Sequence, residues 1–132
     1  MKKTKKSLLE VFDNAYPNRM YEIKHVVDEF TSLCPKTGHP DFGKIIIYYI
    51  PRKTCVELKS LKIYMQSFRN DGIFYESITN KILDDLVSVL DPWMLRVTTK
   101  FTGRGGIHSV VRAIFESDEY IEYCENVANG LQ

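Results

Sequence analysis

Long apolar runs are missing from this 132-residue chain. Nothing approaches the roughly 20 apolar residues that carry a helix across a bilayer. No apolar core follows the N-terminal lysines, so no signal peptide is expected either. Charge of one sign is also missing. Eighteen Lys and Arg against 17 Asp and Glu leave a formal net charge of +1. Direct nucleic-acid or membrane binding is therefore not expected, because neither has a strong field to draw it in. Cysteine is scarce and odd in number: Cys34, Cys55 and Cys124 lie far apart. That excludes a secreted disulfide framework and points to the reducing cytoplasm. No C-x-x-C pair suggests a zinc site, and no G-x-G-x-x-G suggests a Rossmann dinucleotide site. No repeat or linker divides residues 1–132. They read as a single domain, with an N-terminal arm at 1–16 and a C-terminal tail at 117–132.

What is there is a chain 44% hydrophobic, enough for one globular core. Lys2, Lys3, Lys5 and Lys6 read as a solvated, frayed basic tag. Residues 20–32 are rich in β-branched and aromatic side chains and roughly alternate, which predicts a strand. K-I-I-I-Y-Y-I at 44–50 predicts a second strand, buried on both faces or at an interface, and Pro51 ends it. From Val56 to Arg69 the period becomes helical, with Leu58, Leu61, Met65 and Phe68 on one face. Asn70-Asp71-Gly72 breaks that helix. A second follows from about Ile73 to Leu90, and Asp91-Pro92 stops it. Strands are predicted at 93–101 and 107–115 around the turn G-R-G-G, and the acidic tail suits a short amphipathic helix. Strand–strand–helix–helix–strand–strand predicts an α+β fold, one antiparallel sheet with both helices on one face. Its two open edges invite pairing into a closed oligomer.

Three places can carry chemistry. In S-L-C-P-K-T-G-H-P-D-F-G, Cys34 stands beside a Pro/Gly loop with Lys36, His39 and Asp41 in reach. It is a buried thiol, a metal ligand with His39 and Cys55, or a nucleophile activated by its neighbours. In E-L-K-S-L-K-I-Y, Lys59 and Lys62 lie one turn apart and can straddle a phosphate, or can simply be a solvated face. Arg104 adds a third cation, and the backbone at Gly105 and Gly106 adds donors. In I-F-Y-E, Glu76 either complements the start of a helix or anchors a guanidine-like edge, with Tyr75 beside it.

T-S-L-C-P-K-T-G-H-P-D-F-G, E-L-K-S-L-K-I-Y, F-Y-E and F-T-G-R-G-G-I occur in this order from Phe30 to Ile107. Together they resemble the single-module QueF family, the NADPH-dependent nitrile reductases of queuosine biosynthesis. The resemblance implies the tunnelling fold, with subunits joined through sheet edges and active sites at their interfaces. It implies NADPH-dependent reduction of 7-cyano-7-deazaguanine to 7-aminomethyl-7-deazaguanine. Cys34 takes the nucleophile position and Asp41 the general-acid position. Glu76 and Tyr75 meet the deazaguanine. Glu57, Leu58 and Ser60 belong to the motif lining the substrate, and Lys59, Lys62, Arg104 and Gly105 match NADPH positions. No metal is implied. Many members carry F-H-E where this chain has Tyr75. A related branch, which transfers nitrogen to a deazaguanine in tRNA without reduction, and a non-catalytic purine binder on the same scaffold are the alternatives.

Overall fold

The computed structural model describes residues 4–130. Along the chain come a single 3-10 turn at Lys5–Leu8, β1 (Val11–Asp13), β2 (Ile23–Leu33), β3 (Pro40–Ile50) and β4 (Thr54–Val56). They are followed by α1 (Leu58–Gln66), α2 (Tyr75–Leu90), β5 (Met94–Arg104), β6 (Ile107–Glu116) and α3 (Asp118–Ala128). Four long strands form one antiparallel sheet in the order β2-β3-β5-β6, and β1 pairs with β4 in a small ribbon. Helices α1 and α2 cover one face of the sheet, α2 lying on β5 and β6. Between them lies the core, with Ile45, Ile47, Leu61, Ile82, Leu86 and Val97 essentially dry.

A bulge in β2 decides which side chains enter that core. The register with β3 shifts between Val27 and Phe30, so two residues of β2, Asp28 and Glu29, oppose the single Lys44, one residue more than regular pairing allows. Before the bulge Ile23, His25 and Val27 face inward, while Lys24 and Val26 are exposed. After it Phe30 and Ser32 are buried. Strand side chains alternate with period 2, so one slip exchanges the faces. Without the bulge, Cys34 would face away from the helices.

The second strand begins earlier than its apolar run suggests. It starts at Pro40, so Asp41 is a strand residue opposite Ser32 and not part of a loop. Pro40 is tolerated because it stands at the strand's first position. The first helix begins at Leu58, and Val56 belongs to β4. Asp91 adopts a left-handed conformation, φ 45°, and closes α2 before Pro92. In the β5–β6 turn Gly105 and Gly106 have φ of 58° and 80°, which suits a residue without a Cβ.

The N-terminal arm is not a frayed tag where it is described. Lys5 is half-buried. Its ammonium donates to the Ser67 carbonyl at 2.6 Å, pairs with Asp71 at 2.8 Å and lies 4.8 Å from the Phe68 ring centre. Val11–Asp13 then pairs with Thr54–Val56. A basic residue over an aromatic and a carboxylate has reason to stay ordered. Lys2 and Lys3 lie outside the described residues. The acidic tail forms α3, where the Ser117 hydroxyl accepts the Tyr120 N–H at 3.1 Å as an N-cap.

Candidate active site

Cys34 sits at the mouth of the β2–β3 hairpin. Its N–H donates to the His39 carbonyl and its carbonyl accepts from Gly38 N–H, both at 2.8 Å, with Gly38 at φ 73°. One residue earlier, Leu33 N–H donates to the Asp71 carbonyl at 2.9 Å and the Leu33 carbonyl accepts from Ile73 N–H at 3.1 Å. The break between α1 and α2 is thereby fastened to the strand end that carries the thiol. The thiol is half-buried. Its pKa is drawn below the usual value by the Thr37 hydroxyl, then by the N–H groups of Thr37 and Lys36; burial and the Asp41 charge oppose this. Donors converging on sulfur favour the thiolate, the form that attacks carbon.

Asp41 lies on the same face, only 5% exposed. Its carbonyl accepts from the Thr31 hydroxyl at 2.8 Å, and its Oδ1 accepts from the Tyr75 hydroxyl at 3.1 Å. Tyr75 reaches it from the first turn of α2 because its ring lies flat on Phe101, 3.7 Å between centres and 7° between planes. Gly43 makes room for this stack. A Cβ there would stand 2.7 Å from the Lys100 carbonyl and 2.9 Å from the Phe101 ring. Three elements, the hairpin, β5 and α2, thus bring Cys34, Asp41 and Tyr75 together. Glu76 follows Tyr75 in the same turn, exposed to solvent.

The E-L-K-S-L-K segment is placed on α1 and divides its duties. The Glu57 carboxylate caps the helix, accepting from Ser60 N–H at 3.1 Å and from Lys59 N–H. The Ser60 side chain is buried. Its hydroxyl donates to the Glu57 carbonyl at 2.7 Å and accepts from Glu10 N–H at 2.9 Å, tying the arm to the helix. Leu58 and Lys62 border a groove of about 640 Å³ against Lys24–Glu29 of β2. Lys59, one turn from Lys62, borders a separate small cleft with Leu8, Glu10 and Ile63. The two lysines therefore do not share one cleft in a single chain. A second groove, about 600 Å³, adjoins the first at Asp28, Glu29 and Gln66 and reaches Lys44, Arg69 and Lys100. Gly105 stands in the β5–β6 turn; the side chain of Arg104 lies outside the described part of the structure.

Cys55 is buried in β4, beyond the Ile50 end of β3, whereas Cys34 and His39 stand at the Pro40 end. An 11-residue strand separates the two ends, roughly 35 Å at about 3.3 Å per residue. No metal-binding group of three or more His, Cys, Asp or Glu occurs among the described residues. Sequence reasoning passed over Thr37, Gly43 and Phe101. The signal for Gly43 was a glycine directly before the apolar run 44–50; inside a strand a glycine marks close approach of a neighbour.

Residues 40–120 match the model of a family described as QueF-like protein. The chain belongs to that family. It is 62% identical over 109 residues to a protein of Chlorobium phaeovibrioides, covering 83% of this chain and 94% of that one. It is 56% identical over 115 residues to one of Chloroherpeton thalassium, covering 87% and 99%, and 57% identical over 101 residues to one of Rhodopirellula baltica, covering 76% and 84%. Each is named NADPH-dependent 7-cyano-7-deazaguanine reductase. Among solved structures, an archaeosine synthase QueF-Like in its apo form superposes with a TM-score of 0.65 at 22% identity, over 74% of this chain and 94% of that one. At that identity the likeness is one of fold, and the QueF-like chain has the tunnelling fold. Asp41, Glu57–Lys62, Tyr75, Glu76 and Gly105 fall within the matched segment, and Cys34 stands just before it.

Proposed function

We propose that this chain is an NADPH-dependent nitrile reductase that converts 7-cyano-7-deazaguanine to 7-aminomethyl-7-deazaguanine for queuosine biosynthesis. The observation that carries the reading is a donor-stabilised thiol, Cys34, on one face with a buried carboxylate, Asp41, held by Tyr75. A nitrile carbon is electrophilic yet accepts a hydride poorly. Thiolate attack splits the difficulty. The Cys34 Sγ–C bond forms as one π bond of the nitrile breaks, and Asp41 delivers a proton to the nitrogen. The product is a thioimide on Cys34. Glu76, exposed beside Tyr75, is suited to accept two hydrogen bonds from the deazaguanine edge.

Nitrile to amine is a four-electron reduction, which two hydrides from NADPH supply. Between them the Cys34 Sγ–C bond breaks, its electron pair returns to sulfur, and an imine remains for the second hydride. The α1–β2 groove fits such a ligand chemically. It offers Leu58, Leu61 and Met65 as apolar wall and Lys62 as a phosphate partner, and its extension offers Lys44, Arg69 and Lys100. His25, in the same wall, has its pKa lowered by burial and stays neutral at pH 7. Lys59 and Arg104 join this set if the ligand extends along α1 or across from another subunit. Glu57 and Ser60 serve chiefly by fixing the first turn of α1, which presents Leu58 and Lys59.

The test is NADPH consumption with 7-cyano-7-deazaguanine beside a mass spectrum of the protein. Two NADPH lost per nitrile, with the amine formed and an adduct that Cys34→Ala abolishes, is the expected result. An adduct on Cys34 with no NADPH loss would move the chain to nitrogen transfer. Neither adduct nor oxidation would leave a purine binder.

A further inference from the structure

Ser32 is fully buried, and its hydroxyl has no hydrogen-bond partner among the described residues. A buried polar group left in this state costs stability, and folded proteins rarely leave one without a use. Its place is specific. Ser32 is the cross-strand partner of Asp41, which puts the two Cβ atoms about 4.5–5.5 Å apart on one face of the sheet. It stands two residues before Cys34, on the inward face that the β2 bulge creates.

The reaction proposed above changes the charge of that neighbour. When Asp41 gives its proton to the nitrile nitrogen, an O–H bond breaks, an N–H bond forms and a carboxylate remains. The negative charge that the thiolate held before attack now sits on Asp41, so charge is conserved. Asp41 is 5% exposed, so water cannot solvate the new anion well. Tyr75 provides one donor, at Oδ1. We propose that the Ser32 hydroxyl is a positioning residue that donates to the Asp41 carboxylate once the proton has left. This rests on the reductase reading. The donor is already desolvated and in place, so it stabilises the Asp41 carboxylate more than the protonated acid that faces the nitrile. Only that difference accelerates the step.

The deciding variant is Ser32→Ala, assayed for melting temperature, for the single-turnover rate of adduct formation with 7-cyano-7-deazaguanine, and for KM against kcat. Loss of an unpartnered hydroxyl should leave the melting temperature equal or higher. The adduct rate should fall about 10- to 100-fold with KM within two-fold of the parent. In an Asp41→Asn background the same substitution should cause no further loss, because the group it serves is gone. An unchanged adduct rate overturns the proposal. So does a melting temperature lowered by several degrees, which would mean that the hydroxyl is paired in the fold. A full additional loss in the Asp41→Asn background overturns it too. If the parent protein forms neither adduct nor amine, the reductase reading fails first and takes this proposal with it.

Discussion

At the scale of single residues, the thiol of Cys34 is governed by two opposing neighbours. The Thr37 hydroxyl leads the effects that lower its pKa, and the Asp41 charge is among those that raise it. A lowered thiol pKa means more thiolate at a given pH, so the alkylation rate rises through that pKa as pH increases. Thr37→Ala should move the rise to higher pH, and Asp41→Asn should move it to lower pH. Rates of iodoacetamide labelling across pH 5–9 check both; shifts in one direction for both variants would contradict the arrangement. Tyr75 is the second lever. Tyr75→Phe keeps the ring on Phe101 but removes the donor to Asp41. A hydrogen bond to a charged group is worth about 1.5–3 kcal/mol, so kcat should fall about 10- to 100-fold. Steady-state assays that show a raised KM with kcat intact would instead make Tyr75 a contact for substrate. Tyr75→His, which puts an N–H donor in place of the phenol, should recover part of the rate.

At the scale of elements, Gly43 ties the sheet to the site. Gly43→Ala would drive a methyl against the Lys100 carbonyl and the Phe101 ring. Overpacking of this kind costs about 1–3 kcal/mol. Thermal unfolding should therefore drop by several degrees, and activity should fall further than stability because Tyr75 rests on the displaced ring. A variant as stable and active as the parent would show that the stack is not what positions Tyr75. The same elements show what was legible from sequence. The order of the four long strands and two helices followed from periodicity, and the breaks at Asn70-Asp71-Gly72 and Asp91-Pro92 from backbone chemistry. Cys34, Asp41 and Tyr75 could be named from their motifs, and the structure brings these three together. Three-residue strands such as Val11–Asp13 and Thr54–Val56 carry no periodicity of their own, so the ribbon was not visible. Gly38, His39 and Pro40 read as loop, which hid Asp41 inside β3. Ser32 was hidden for a different reason. Alternation counted from Ile23 puts it outside, and only the bulge at Asp28 and Glu29, a tertiary feature, brings it in.

At the scale of the molecule, one chain leaves its sheet unfinished. The order β2-β3-β5-β6 has edges at β2 and β6. Along β6 apolar side chains stand in solvent, with Val110 60% and Ile114 54% exposed. An open, apolar edge is an invitation to pair, and a closed ring of copies removes it. Neither large groove is lined by Cys34, Asp41 or Tyr75, which fits a site walled in part by a neighbouring copy. Light scattering after size exclusion should give a mass several times the 15.4 kDa of one chain. Val110→Lys with Ile114→Lys sharpens the test. On a lone chain these exposed positions accept lysine with little effect, and mass, melting temperature and turnover should all stay put. If β6 is an assembly edge, the lysines must be desolvated on pairing. The mass should then fall toward one chain and turnover should fall with it. Far-ultraviolet dichroism should still report a folded sheet and helices, because nothing inside the chain's own core has changed. A parent protein that runs as a monomer and still reduces the nitrile would remove the shared site, while leaving the chemistry proposed for Cys34 and Asp41 intact.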